Sequence, residues 1–188
     1  MWVCTFAASI PANGHTKKRR NNMAGSAKPV PKGFHTVTPS LVVRNAAQAI
    51  DFYKKALGAE ELMRMATPNG KIGHAELKVG DSIIFLTEES PEMGNKSPQT
   101  LGGSASSLYL YVEDVDKAFQ RAIDAGGKST MPVADMFWGD RFGTFSDPYG
   151  HSWGLSTHVQ DLSEQEIEKA AKDFYAQMAK QQPQKKTA

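Results

Sequence analysis

The 188-residue chain contains a single cysteine, Cys4, and no long apolar run. One cysteine excludes an internal disulfide. No apolar segment approaches the roughly 20 residues that a bilayer-spanning helix needs. The sequence also lacks a phosphate-binding glycine loop and a nucleophile elbow, two common signatures of catalysis. With 40% hydrophobic residues, the chain is expected to fold around one core as a cytoplasmic protein with no membrane partner.

Acidic residues are missing from the first 36 positions, which carry six Lys and Arg residues. The rest of the chain holds 16 basic and 20 acidic residues and is therefore acidic. An acidic body gives no general attraction for nucleic acid, so we expect no nucleic-acid partner. Residues 1–35 show no apolar periodicity, which predicts a disordered basic tail. A targeting or nucleic-acid-binding role of this tail is the alternative.

An internal repeat organises the remainder. The segment Leu41–Ile50 is echoed 69 positions later by Leu110–Phe119. In each copy a short apolar strand meets a helix-capping residue, Asn45 or Asp114, and a glycine follows the helical pattern. Alternating segments and turn residues then predict three further strands per copy. The predicted strands are 37–43, 61–66, 71–79 and 82–88 in the first copy, and 107–112, 128–133, 140–146 and 151–157 in the second.

Two segments lie outside this repeat. Residues 90–106 are rich in proline and glycine and predict a loop. Within residues 159–188, Ser163 and Glu166 form a capping box, which predicts a C-terminal helix with one apolar stripe. The stripe consists of Ile167, Ala170, Ala171, Phe174 and Met178. The helix could pack on its own domain or on a second subunit.

Two motifs carry a family resemblance. Residues 49–59 read AIDFYKKALGA, and residues 138–153 read WGDRFGTFSDPYGHSW. Together with the repeat, they resemble the vicinal-oxygen-chelate superfamily of glyoxalases, bleomycin-resistance proteins and ring-cleaving dioxygenases. Residues 74–82, HAELKVGDS, resemble its PhnB-like branch. The resemblance implies an α+β domain over 36–158, in which βαβββ modules at 36–91 and 106–158 form a cupped mixed sheet around a cavity.

The resemblance also implies where a metal would bind. Metal-dependent members hold the ion by a residue early in each first strand and one in each last strand, which correspond here to Thr38, Phe85, Ser107 and Gly154. None of these is a good ligand for a divalent transition metal. We therefore expect no metal cofactor. The alternative is a divalent metal held by His74, Glu76 and either His151 or His158.

Residue alternation suggests what lines the cup. If Ser107 points inward, Tyr109 and Tyr111 do so too, although ordinary sheet packing would also explain these tyrosines. Trp138 stands beside a glycine and could cover a ligand. Arg141 could grip a carboxylate or phosphate, or it could pair with Asp140 and fix the hairpin. The predicted ligand contacts are Tyr109, Tyr111, Trp138, Arg141 and His158.

Two functional hypotheses remain. The first is a protein that binds a small organic molecule in the cup without chemistry. The second is an enzyme of the lyase, isomerase or dioxygenase type, with an atypical metal or with His74 or Glu76 as the catalytic base. In either case an incomplete cup leaves apolar sheet edge uncovered, so we expect a homodimer.

Overall fold

The structure, a computed structural model, describes residues 27–181. It confirms two tandem βαβββ modules followed by a C-terminal helix. The predicted tail lies largely outside the described residues, as do residues 182–188. The elements are β1 (Ser40–Val43), α1 (Ala46–Leu57), β2 (Glu60–Ala66), β3 (Ile72–Val79), β4 (Ser82–Glu88), α2 (Pro98–Leu101), β5 (Ser107–Tyr111), α3 (Val115–Asp124), β6 (Lys128–Asp135), β7 (Asp140–Ser146), β8 (Ser152–His158) and α4 (Glu164–Gln181).

Each module forms its own four-stranded sheet. The strand orders are β1-β4-β3-β2 and β5-β8-β7-β6, so the first strand of each module is an edge strand parallel to the fourth. Strand alternation gives every sheet one face packed on its helix and one open face. In β3, for example, Ala75 and Leu77 are buried on the helix side, whereas His74 and Glu76 lie on the open face.

The helix start of the first module differs from the prediction. Asn45 adopts a left-handed conformation with φ 60°, and its side chain does not cap α1. The Glu88 carboxylate does so instead, accepting the backbone N–H of Asn45 at 3.0 Å and of Ala46 at 2.7 Å. In the second module Asp114 caps α3 as predicted, accepting the N–H of Lys117 at 3.0 Å.

The segment between the modules is more ordered than predicted. Residues 90–106 contain a 3-10 turn at Pro91–Met93 and the short helix α2. Proline stands at the start of each, where its missing N–H costs no hydrogen bond. Ser97 caps α2 through its side chain, which accepts the N–H of Thr100.

The two modules share one core because their helices pack against each other. Helices α1 and α3 are in contact, and the helix-facing residues of both sheets form one buried cluster. At its centre, Tyr53 and Trp153 donate hydrogen bonds to Oδ2 of the buried Asp147, at 2.7 and 2.8 Å. The backbone carbonyl of Val42 lies 3.1 Å from Nε2 of the buried His151. The turn before β8 is thereby fixed to the first module.

Helix α4 begins with the predicted capping box, in which Glu166 accepts the N–H of Ser163 at 2.8 Å. It packs on its own domain through Phe137, whose ring centroid lies 5.1 Å from Phe174 and 6.2 Å from Tyr175. Most of its remaining surface is exposed. Among the helices of residues 27–181, none combines the length and apolar character needed to cross a bilayer.

Candidate functional site

The open face of the second sheet is centred on a buried carboxylate. Asp140, the first residue of β7, is only 3% exposed. Its Oδ1 lies 2.7 Å from Nδ1 of His158. Its Oδ2 accepts hydrogen bonds from the hydroxyls of Tyr109 at 3.2 Å and Tyr111 at 3.1 Å, and from Nε1 of Trp138 at 3.2 Å. We call these five residues the Asp140 cluster.

The hydrogen bonds of the cluster set its charges. Burial alone would raise the pKa of Asp140, but hydrogen bonds from His158, Ser156 and the two tyrosines outweigh it and hold the pKa below its ordinary value. The pKa of His158 is raised, mainly by its hydrogen bond to Asp140 and then by Asp161. Asp140 is therefore an anion at neutral pH, and the bonded carboxylates favour the protonated imidazole of His158.

An aromatic wall surrounds this carboxylate. Tyr109 stacks on Phe142 with ring centroids 5.1 Å apart and lies 5.2 Å from Tyr111, and Trp138 meets Phe142 at 5.9 Å. A Cβ atom at Gly154 would lie 2.7 Å from the Phe142 ring, so this glycine makes room for the stack. Tyr109 and Tyr111 keep 45% and 67% of their surface exposed. The wall is thus accessible from solvent.

The structure separates Arg141 from the other four predicted contacts. Arg141 follows Asp140 in β7 and points to the helix side of the sheet. There the Asp116 carboxylate accepts hydrogen bonds from its Nε and Nη2 atoms, at 2.7 Å each. Asp135 accepts Nη1 at 3.0 Å. The alternative of an Asp140–Arg141 pair is also wrong, because consecutive strand residues face opposite sides of a sheet. Arg141 therefore joins β7 to α3 and β6, and it does not line the open face.

Asp140 itself was not predicted as a site residue. The sequence offered one signal. Asp140 and Phe142 are two positions apart in β7, so both lie on the same face of the sheet. An acidic residue at such a position is unusual unless several donors satisfy it. The donors come from β5, β8 and the turn before β7, which are separated along the chain.

The open face of the first sheet carries the predicted His74 and Glu76. Their Nε2 and Oε1 atoms are 3.5 Å apart, and both side chains are half-buried. The His74 ring meets Phe85 edge-on at 4.8 Å. Met63 and Met65 stand opposite Glu76 and His74 across the β2–β3 ladder and are exposed. Within residues 27–181, no hydrogen bond or ring contact joins this face to the Asp140 cluster.

A groove of about 930 Å³ follows the free edge of β5. Tyr109 and Tyr111 line one side, and the turn at 79–82 together with the end of α1 lines the other. Neither β5 nor β1 pairs with a strand of the other sheet. The described chain therefore leaves the edges of β1 and β5 unpaired and most of the two open faces uncovered.

The family follows from comparison with known proteins. The profile of the Glyoxalase/Bleomycin resistance protein/Dioxygenase superfamily matches residues 33–155. The chain belongs to this superfamily. Rv0887c from Mycobacterium tuberculosis, an uncharacterized protein, is 44% identical over 137 residues, which cover 71% of this chain and 81% of that protein.

Two solved structures show the same superfamily fold. A gene product from Arabidopsis thaliana is 25% identical, with a TM-score of 0.54 over 65% of this chain and 98% of that chain. The fosfomycin resistance protein FosX from Listeria monocytogenes, solved with Mn(II) and 1S,2S-dihydroxypropylphosphonic acid, is 20% identical. It has a TM-score of 0.51 over 70% of this chain and 94% of FosX. The likeness to FosX concerns the fold alone.

The residues of this superfamily member do not fit the metal site of its metal-dependent relatives. Of the four corresponding positions, Phe85 offers only a ring packed on His74, and Gly154 has no side chain. The alternative set is not assembled within one chain either, because His151 is turned to the Val42 carbonyl and His158 to Asp140 and Asp161. In the described part of the chain, no three His, Cys, Asp or Glu residues are grouped to hold a metal ion.

Proposed function

We propose that this protein binds a small organic molecule against the aromatic wall of the Asp140 cluster and needs no tightly bound metal to do so. The observation that carries the proposal is the convergence of Tyr109, Tyr111, Trp138 and His158 on one buried carboxylate. A few fixed polar groups within an aromatic surface are typical of sites for small organic ligands. The four family ligand positions supply no imidazole, carboxylate or thiolate, which supports binding without metal.

A second copy of the chain completes the cup in this proposal. Tyr111 and Met65 are exposed, one on each open face. Large exposed apolar groups of this kind are typical of a surface that a partner covers. The edges of β1 and β5 are unpaired as well. In a two-fold symmetric homodimer, the His74–Glu76 face of one protomer meets the Asp140 cluster of its partner. The ligand then lies between the two faces.

An enzymatic role is the second candidate, and the His74–Glu76 pair is the observation that favours it. A half-buried carboxylate beside an imidazole on a ligand-facing surface can move a proton. The assignment to the PhnB-like branch remains a prediction that rests on residues 74–82. Glu76→Gln separates the two candidates: loss of turnover with ligand binding kept indicates an enzyme, and loss of binding alone indicates a binding protein.

A chemically mixed set of small molecules, screened against the full chain by ligand-observed NMR, tests the proposal. We expect ligands that bind wild type and lose at least about tenfold in affinity with Tyr111→Ala, because truncation removes an exposed ring of the wall. Tyr175→Ala is the control, since Tyr175 is similarly exposed but lies on α4. A chelator should leave binding unchanged. Ligands that bind Tyr111→Ala as well as wild type, or that the chelator releases, would contradict the proposal.

A further inference from the structure

The Asp140 cluster has few polar hydrogens left for a ligand. The hydroxyl hydrogens of Tyr109 and Tyr111 and the indole N–H of Trp138 all point to Oδ2 of Asp140. A phenol whose hydrogen is engaged in this way still carries lone pairs on its oxygen. Towards the open face, the two tyrosines therefore present hydrogen-bond acceptors and not donors.

His158 is engaged in the same manner. Its Nδ1 lies 2.7 Å from Asp140, and its Nε2 lies 3.0 Å from Asp161. When the ring is protonated, both of its hydrogens are donated to these carboxylates, Asp140 being buried and Asp161 exposed. One imidazolium stands against two carboxylates, so the group carries a net negative charge. The nearest guanidinium in β7, that of Arg141, is bound by two other carboxylates on the opposite face.

We propose that this site selects planar organic molecules that carry a protonated amine and rejects carboxylates, phosphates and phosphonates. The inference rests on the proposed small-molecule function and names its ligand class. An ammonium group donates hydrogen bonds to the phenolic oxygens of Tyr109 and Tyr111. It also lies against the electron-rich faces of these rings and Trp138, which attract cations. An anion would find neither a free donor nor a favourable potential.

The face that completes the cup adds further groups for the same ligand, beside His74 and the exposed Lys78 on the same side of β3. Glu76 offers a carboxylate, Phe85 offers a ring, and Met63 and Met65 offer polarizable apolar surface. These groups suit the planar body and the cationic end of the same ligand. Arg141, predicted from sequence to grip an anion, takes no part.

Three naphthalene probes that differ only in the attached group test the inference by calorimetric titration of the full chain. They are 2-naphthylmethylammonium, 2-naphthylmethanol and 2-naphthylmethylphosphonate. We expect the ammonium to bind at least about tenfold more tightly than the phosphonate, with the alcohol between them. Equal or tighter binding of the phosphonate would overturn the inference.

Two variants and a control locate the selectivity. Asp140→Asn should reduce the ammonium-to-phosphonate affinity ratio at least about fivefold. Asp135→Asn, which removes the same charge on the Arg141 side, should keep the ratio. Tyr111→Phe keeps the ring but removes the phenolic oxygen, so it should weaken the binding of the ammonium probe alone. This variant tests the inference even if Asp140→Asn fails to fold. A ratio unchanged in both Asp140→Asn and Tyr111→Phe would overturn the inference.

The outcomes distinguish this inference from the function on which it rests. If none of the three probes binds while the mixed set yields ligands that depend on Tyr111, the amine selectivity is wrong and the binding function stands. If no compound of any class binds, both are wrong.

Discussion

Replacement of Asp147 by alanine is expected to lower the free energy of unfolding by about 3–5 kcal/mol. Asp147 is buried and accepts two side-chain and two backbone hydrogen bonds, the latter from Tyr149 and His151 at 2.9 Å each. Alanine would leave the Tyr53 hydroxyl and the Trp153 indole N–H buried without an acceptor, and each such group costs roughly 1–3 kcal/mol. Urea unfolding followed by circular dichroism measures the loss.

The control for this prediction is Asp81→Ala, which changes a highly exposed aspartate at another hairpin turn. It should cost less than about 0.5 kcal/mol. Tyr53→Phe should cost about 1 kcal/mol, because it removes one of the donors and leaves the carboxylate with its other partners. A loss below about 1 kcal/mol for Asp147→Ala would show that Asp147 does not hold the two modules together.

Replacement of Gly139 by alanine is expected to cost about 2–4 kcal/mol and to disturb the Asp140 cluster. Gly139 has φ +94°, where an L side chain costs roughly 1–2 kcal/mol. The Cβ of an alanine at position 139 would also collide with the backbone carbonyl of Gln160. Gln160 cannot move away freely, because its N–H is hydrogen-bonded to the Gly139 carbonyl at 3.0 Å. The clash displaces Trp138 and Asp140, the neighbours of Gly139, so binding at the wall should weaken as well.

Gly102→Ala separates the two causes. Gly102 has φ +81°, but a Cβ there would meet no atom within 4 Å. It should therefore show only the conformational cost of about 1–2 kcal/mol and leave ligand binding unchanged. Equal losses in chemical denaturation for Gly139→Ala and Gly102→Ala would mean that the contact with Gln160 is not close in solution.

The sequence was sufficient wherever the cause is local or periodic. The internal repeat predicts both modules, and strand alternation puts Tyr109 and Tyr111 on one face, as observed. The capping box at Ser163 and the cap at Asp114 need only neighbours within three positions. The same alternation also separates Asp140 from Arg141, so it already argued against the alternative in which these two residues pair.

The remaining features depend on residues distant along the chain. Glu88 caps a helix that begins 42 positions before it, and no local rule connects it to Ala46. Asp140 meets Tyr109 from 31 positions away, across β8. The packing of α1 on α3 depends on how the modules meet. The site therefore arises from strand pairing and helix packing between distant segments. The sequence indicated the other four residues of the Asp140 cluster, but not Asp140, to which they are all hydrogen-bonded.

Native mass spectrometry of the purified full chain tests the central claim most directly, because one spectrum reports subunit number, bound metal and bound organic molecule. The account predicts a species of twice the chain mass that carries no transition metal and takes up two equivalents of a wall-binding ligand. A monomer that binds the ligand equally well, or a metal ion retained at one per cup through dialysis, would contradict it.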